Sequence, residues 1–190
     1  MSLKRKILIL LGSIFVLFMI VLFIFFLVKG QPSKWQVALG GIIVCALPML
    51  LIFKKNIPFN LPSIVGFYLF IFCTTYLGTI GDFYLKYRWW DSTIHFYKGV
   101  YVACVGITLY KLMIPEQVRK DTSHWIISIF VLSLSVLASV LWEIYEFAGD
   151  QTFTHIMQLG GNKDTMYDLL CGFSGGLLIA IYAYFRKPKV

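Results

Sequence analysis

The sequence predicts an all-α polytopic membrane protein, a bundle of six transmembrane helices with both termini in the cytoplasm. Three observations carry that prediction. Apolar residues make up 59% of the 190 and charged residues only 14%, whereas a soluble domain is nearer half and a quarter. Apolar runs of about 20 residues, enough to cross a bilayer, recur along the whole chain. Lys and Arg favour alternate connections between those runs.

Each element follows from local chemistry. Lys4-Arg5-Lys6 precedes an unbroken apolar run from Ile7 to Val28. That run is longer than a signal-peptide core and no Ala-x-Ala follows it, so a retained first helix is expected. Gly30 and Pro32 mark a short turn. Trp35 to Phe53 is the second span, with Trp35 as an interfacial anchor, Gly40-Gly41 for close packing and Pro48 as a kink. Lys54-Lys55 and Pro58 close it. Leu61 to Ile80 is the third span, with Pro62 in its first turn. Asp91 to Ile114 is the fourth, Trp125 to Phe147 the fifth and Thr165 to Phe185 the sixth. The polar connection from Ala148 to Asp164 is the longest. It carries His155 and the turn signal Gly160-Gly161-Asn162. One membrane domain over 1–190 is expected, with 1–58 as two flanking helices and 59–190 as a four-helix core.

Counting basic residues gives the orientation. With the N-terminus inside, eleven lie on the inner side: Lys4, Arg5, Lys6, Lys54, Lys55, Lys111, Arg119, Lys120, Arg186, Lys187 and Lys189. Five lie outside: Lys29, Lys34, Lys86, Arg88 and Lys163. Cytoplasmic termini follow. The net charge of +8 is spread over short groups between apolar runs, which suits an anionic lipid surface and excludes a nucleic-acid-binding face. The four cysteines, Cys45, Cys73, Cys104 and Cys171, sit inside apolar runs with no Cys-x-x-Cys pair, and read as small apolar residues.

The carboxylates form the informative pattern. Seven of nine, namely Asp82, Asp91, Glu143, Glu146, Asp150, Asp164 and Asp168, fall at the outer ends of the spans. Asp91 and His95 are i, i+4, and Lys98 follows at i+7 on the same face. Glu143 and Glu146 are i, i+3, and Asp164 and Asp168 are i, i+4. Ionisable groups in membrane helices are costly and usually face a bundle interior, where they have a use. Carboxylates with an imidazole suit a divalent metal, as in helical bundles with inward Glu and His ligands. The candidate metal ligands are therefore Asp91, His95, Glu143, Glu146, Asp164 and Asp168. Glu143, His95 and Asp91 are the candidates for acid–base catalysis, since histidine titrates near neutrality. Lys98 and Arg88 are candidate contacts for a substrate phosphate.

Plainer readings compete. The same acids, His95 and Lys98 can neutralise one another and fix helix register. Asp91, Asp164 and Asp168 lie near helix starts, where the dipole favours negative charge. Trp89, Trp90 and Trp142 fit an interfacial aromatic belt. His124, on the inner side, and His155 read as ordinary polar residues. Gly172-Phe173-Ser174-Gly175-Gly176 contains the Gly-x-Ser-Gly of rhomboid intramembrane proteases, but no histidine follows Ser174 to serve as base. Gly172 and Gly176 instead form a small-residue packing face. Three histidines are too few for a desaturase-like iron site, and no P-loop or His-Glu-x-x-His is present.

At these residues the chain resembles a family. Asp91-x-x-x-His95-Phe96-x-x-Gly99, Trp142-Glu143-x-x-Glu146, and Asp164-x-x-x-Asp168 followed by Gly172 look like the pattern of YjdF-type bacterial inner-membrane proteins, over roughly residues 61 to 185. VanZ-like membrane proteins are a more distant resemblance. The first implies a multi-pass protein of the bacterial inner membrane and brings no activity with it. The second is associated with glycopeptide resistance and the cell envelope; Cys171 stands where its late helix often has a polar residue. The function expected is an outward-facing Asp/Glu/His site that holds a cation, with a divalent metal as cofactor. It would act on an envelope lipid or lipid-linked headgroup. Membrane lipids, and a second copy or another membrane protein, are the expected partners. A proton- or cation-coupled transporter and a non-catalytic scaffold are the alternatives.

Overall fold

The structure is a computed structural model that describes residues 1–152, 157–158 and 161–186. His155, Gly160 and the Lys187-Pro188-Lys189 end of the chain lie outside the described residues. Eight α-helices and no strand occur among the described residues. The chain divides into two compact units, Met1–Trp90 and Asp91–Val190. The first unit holds the first three apolar segments.

In the first unit, α1 (Leu3–Val28) begins where the Ser2 hydroxyl accepts from the Arg5 amide at 3.4 Å. It ends at Gly30, whose φ of +63° is a conformation glycine adopts without strain. Helix α2 (Pro32–Ala46) starts on its proline and tightens into a 3-10 turn over Leu47–Phe53. Pro48 lacks the N–H that an α-helix would use there. Asn60 opens α3 (Leu61–Ile71), its side chain accepting from the Ser63 amide at 2.9 Å. The third apolar segment does not stay α-helical. Phe72–Ile80 widens into a π-helix, and its exit runs through Asp82 at φ +62°. Lys34 Nζ donates to the Ile80 carbonyl at 2.9 Å and pairs with Asp82 at 3.1 Å. The short α4 (Phe83–Lys86) follows.

The core of this unit gathers Leu8, Met19, Cys45, Ile64, Tyr68 and Ile71. The Tyr68 hydroxyl donates to the Cys45 carbonyl at 3.2 Å. Of the glycine pair in α2, Gly41 lies against Met19 whereas Gly40 faces open space. Close packing therefore rests on Gly41 alone.

The second unit is built on α5 (Arg88–Met113), the short α6 (Glu116–Asp121), α7 (His124–Thr152) and α8 (Asn162–Arg186). Helix α5 starts one turn earlier than expected. Helix α7 runs five residues past Phe147, and α8 begins at Asn162, so the outer connection is shorter than the sequence implied. Ala103, Tyr110, Ile127, Val131, Ala180 and Ala183 form its apolar core.

Towards the other end the three long helices are pinched together. A Cβ on Gly99 would strike the Gly172 carbonyl, and one on Gly175 would strike the Phe96 carbonyl. Gly172 and Gly176 lie against the hydroxyls of Ser139 and Ser135. Ser135 Oγ donates to the carbonyls of Gly99 at 3.1 Å and Gly172 at 3.3 Å, and Ser128 Oγ to Ala180 at 2.7 Å. Small residues and interhelical hydroxyls are the usual means of association where lipid supplies no hydrophobic force.

Among the described residues, five helical segments are long and apolar enough to cross a membrane: Leu3–Val28, Pro32–Phe53, Leu61–Ile80, His124–Thr152 and Asn162–Arg186. Helix α5 has the length, 26 residues, at about 1.5 Å each. Its Asp91, His95, Lys98 and Lys111 dilute the apolar surface. Outward-facing Leu10, Leu17, Val21, Ile129, Leu141 and Leu178 are more than half exposed, as side chains against hydrocarbon would be.

Candidate functional site

The pinch sets the site. Gly99 lies four residues after His95, Gly172 four after Asp168, and Ser139 four before Glu143. One helical turn beyond the closest approach, the three helices therefore present His95, Asp168 and Glu143 towards each other. All three are buried, with His95 and Asp168 1% exposed and Glu143 6%.

His95 is the centre of the group. Its Nε2 is 3.4 Å from Asp91 Oδ1, one turn earlier on α5. Its Nδ1 is 3.3 Å from Glu143 Oε1 on α7 and 3.2 Å from Lys98 Nζ. Among the described residues, two sets of donor atoms, each within 4.8 Å of one another, share this ring: Asp91, His95 and Asp168, and His95, Glu143 and Glu146. Five of the six expected ligands are thus brought together. Asp164 is half-buried in the first turn of α8 and joins neither set.

Lys98 is 5% exposed. Besides the imidazole, its ammonium faces the Trp142 ring, 4.9 Å from the centroid, a cation–π contact. It is enclosed among the acids. Arg88, the first residue of α5, is exposed rather than buried with this group. Asp82 is held in the first unit by Lys34, and Asp150 accepts the Met157 and Gln158 amides at 3.0 and 2.8 Å.

Several contacts of the group were not read from the sequence. Trp142 does more than mark an interface, since its Nε1 donates to Glu146 Oε1 at 2.8 Å. Ser92 Oγ donates to Asp168 at 3.2 Å. Thr165 hydrogen-bonds Glu143 and accepts from Gln158 Nε2 at 3.0 Å, tying the outer connection to the group. The shared four-residue spacing of small and ionisable residues on three helices was the available signal for Gly99 and Ser139. Ser92 and Thr165 carry no such signal.

The hydrogen-bond inventory of the group is incomplete. Among the described residues, Glu143 Oε1 is buried without a hydrogen-bond partner, and so is Ser139 Oγ one turn inward. An unpaired buried carboxylate oxygen costs a full desolvation penalty. With every acid ionised, Asp91, Glu143, Glu146 and Asp168 stand against Lys98 and His95. The net charge is −2 with a protonated imidazole and −3 with a neutral one. The arrangement accordingly suits a cation.

No solved structure matches the chain. A protein of Thermotoga maritima, named only as an uncharacterized protein, is 31% identical over 117 residues, 62% of this chain and 59% of the relative. The chain thus spans less than two thirds of that relative's length. From residue 10 to residue 189 the chain matches the family described as "Predicted membrane protein (DUF2238)", and it belongs to that family of integral membrane proteins.

Proposed function

We propose that the protein is a six-span protein of the bacterial inner membrane whose α5–α7–α8 centre binds a divalent cation and uses it on the headgroup of an envelope lipid or lipid-linked intermediate. The observation that carries this reading is the buried Glu143 Oε1, 3.3 Å from His95 Nδ1 yet without a hydrogen-bond partner among the described residues, in a group of four acids. A buried charge is retained when it is paired or coordinates a metal. A dipositive ion would bring the group close to neutrality. Bound there, it would act as a Lewis acid on a phosphoryl or carbonyl oxygen. His95 and the acids are the groups able to hold it and to move a proton.

A conducting path finds less support. Ser128 and Ser135, the buried hydroxyls leading away from the centre along α7, donate to carbonyls of α5 and α8, so they serve as interhelical links.

Metal analysis of the detergent-purified protein tests the reading. The wild type is expected to carry about one equivalent of a divalent metal, and a His95→Ala, Glu143→Gln variant to carry almost none. Equal and negligible metal in both rejects it.

A further inference from the structure

The His95 ring separates two sets of acids, and only one side of it is left unsatisfied. At Nε2 the contact is simple: Asp91 Oδ1 lies 3.4 Å away and accepts whenever that nitrogen carries a proton. Asp168, the other acid on that side, already accepts from Ser92 at 3.2 Å. At Nδ1 one ring atom meets two groups with opposite demands. Lys98 Nζ at 3.2 Å needs a lone pair there, whereas Glu143 Oε1 at 3.3 Å needs a proton. Either protonation state leaves one of them opposed. The atom that goes without a partner is Glu143 Oε1.

From this asymmetry we infer that the ion is held by His95 Nδ1, Glu143 and Glu146, that Asp91 orients the ring through Nε2, and that the Lys98 ammonium is the cation the metal displaces. The inference rests on the cation-binding reading above and assigns its ligands. A carboxylate behind a ligating histidine fixes the tautomer and aims the opposite nitrogen, which is the usual surrounding of such a ligand. Nδ1 then offers its lone pair to the ion. Glu143 Oε1 gains its missing partner. Glu146 keeps its bond from Trp142 and offers a remaining oxygen.

The donors lie within 4.8 Å of one another. Metal–ligand bonds of about 2.0–2.2 Å put donor atoms about 3.0–3.5 Å apart; His95 Nδ1 and Glu143 Oε1 already stand at 3.3 Å, and Glu146 has to draw in to join them. Lys98 has a flexible four-carbon stem and withdraws along the Trp142 face. One imidazole and two carboxylates suit a borderline divalent ion of the zinc, manganese or ferrous class.

The test is binding of Mn2+, followed by electron paramagnetic resonance with Zn2+ as competitor, to the full chain in detergent. Helix content and monodispersity are checked for each variant. Glu143→Gln and Glu146→Gln are each expected to weaken binding by more than about 100-fold. Asp91→Asn, which removes an orienting group, should weaken it about 10- to 100-fold, and Asp168→Asn no more than that. Lys98→Met should tighten it about tenfold or more, because a competing charge at contact distance is gone.

If Asp91→Asn and Asp168→Asn abolish binding while both glutamine variants retain it, the ion belongs on the Nε2 side. The assignment is then overturned and the cation-binding reading stands. Unchanged or weaker binding in Lys98→Met overturns the displacement. A wild type that binds neither Mn2+ nor Zn2+ overturns the cation-binding reading itself.

Discussion

At the scale of single residues, the molecule turns on positions where nothing larger than glycine fits. Gly99 and Gly172 let the backbones of α5 and α8 touch, and Ser139 completes the contact from α7. A methyl group on Gly99 meets backbone, which has little room to move. Gly99→Ala should therefore cost at least the ~1–3 kcal/mol of an overpacked core, read as a lower midpoint of thermal unfolding in detergent. Gly40→Ala, facing open space, should cost nothing and serves as the control. A Cβ on Gly172 meets the Ser139 hydroxyl, which has no hydrogen-bond partner among the described residues to lose. Ser139→Ala alone should be neutral or slightly stabilising. The Ser139→Ala, Gly172→Ala double variant should be less damaged than the two single effects added, a coupling that a double-mutant cycle measures. Additive effects would mean that the two side chains do not meet. The ionisable half of this arrangement was legible in the sequence, because i, i+3 and i, i+4 spacing places acids and His95 on shared faces. The roles of Trp142 and Thr165 were not. Whether an indole N–H reaches a carboxylate depends on the rotation of the helix in the bundle, which spacing along one helix does not set.

At the scale of elements, the apolar runs were legible as helices and their ends less so. Helix α7 continues through Gly149 because that residue is buried in the bundle, and burial outweighs the modest helix cost of a glycine. Pro48 was legible as a break, and the 3-10 turn is the form it takes. The π-helical stretch Phe72–Ile80 was hidden, since no composition rule separates one extra residue per turn from an ordinary apolar helix. Helix α7 also carries the hydroxyls that tie the bundle together. Ser135→Ala removes a donor shared by two carbonyls, and should lower stability by about 0.6 kcal/mol and at most about 1.7, the span measured for such bonds in membranes. The unfolding midpoint of Ser135→Ala against that of Ser139→Ala is the check. Equal midpoints would mean that the Ser135 bonds contribute nothing.

At the scale of the whole molecule, the question is whether α5 crosses the bilayer. Its apolar content falls short because it carries the centre: His95 and Lys98 are polar by composition yet almost fully covered by protein. What lipid meets on this helix is set by the exposed face, where Phe96 lies, and not by the average. Polar side chains directed into a bundle are how membrane helices carry ionisable groups at all. A crossing α5 makes six spans and puts both ends of the chain on one side, in agreement with the basic residues that flank the inner turns. A non-crossing α5 makes five spans and reverses the sides of everything after it. Two positions decide the matter. Single cysteines replacing Gln117, in exposed α6, and Lys163, at the exposed start of α8, are introduced into a chain whose four native cysteines are alanine or serine. With six spans, a membrane-impermeant maleimide applied to intact cells labels position 163 and spares position 117 until the membrane is opened. With five, and the N-terminus still inside, the pattern inverts. The inverted result would move the His95 centre to the cytoplasmic face. It would redirect the search for a substrate from external headgroups to internal ones and leave the cation-binding chemistry of the centre as it is.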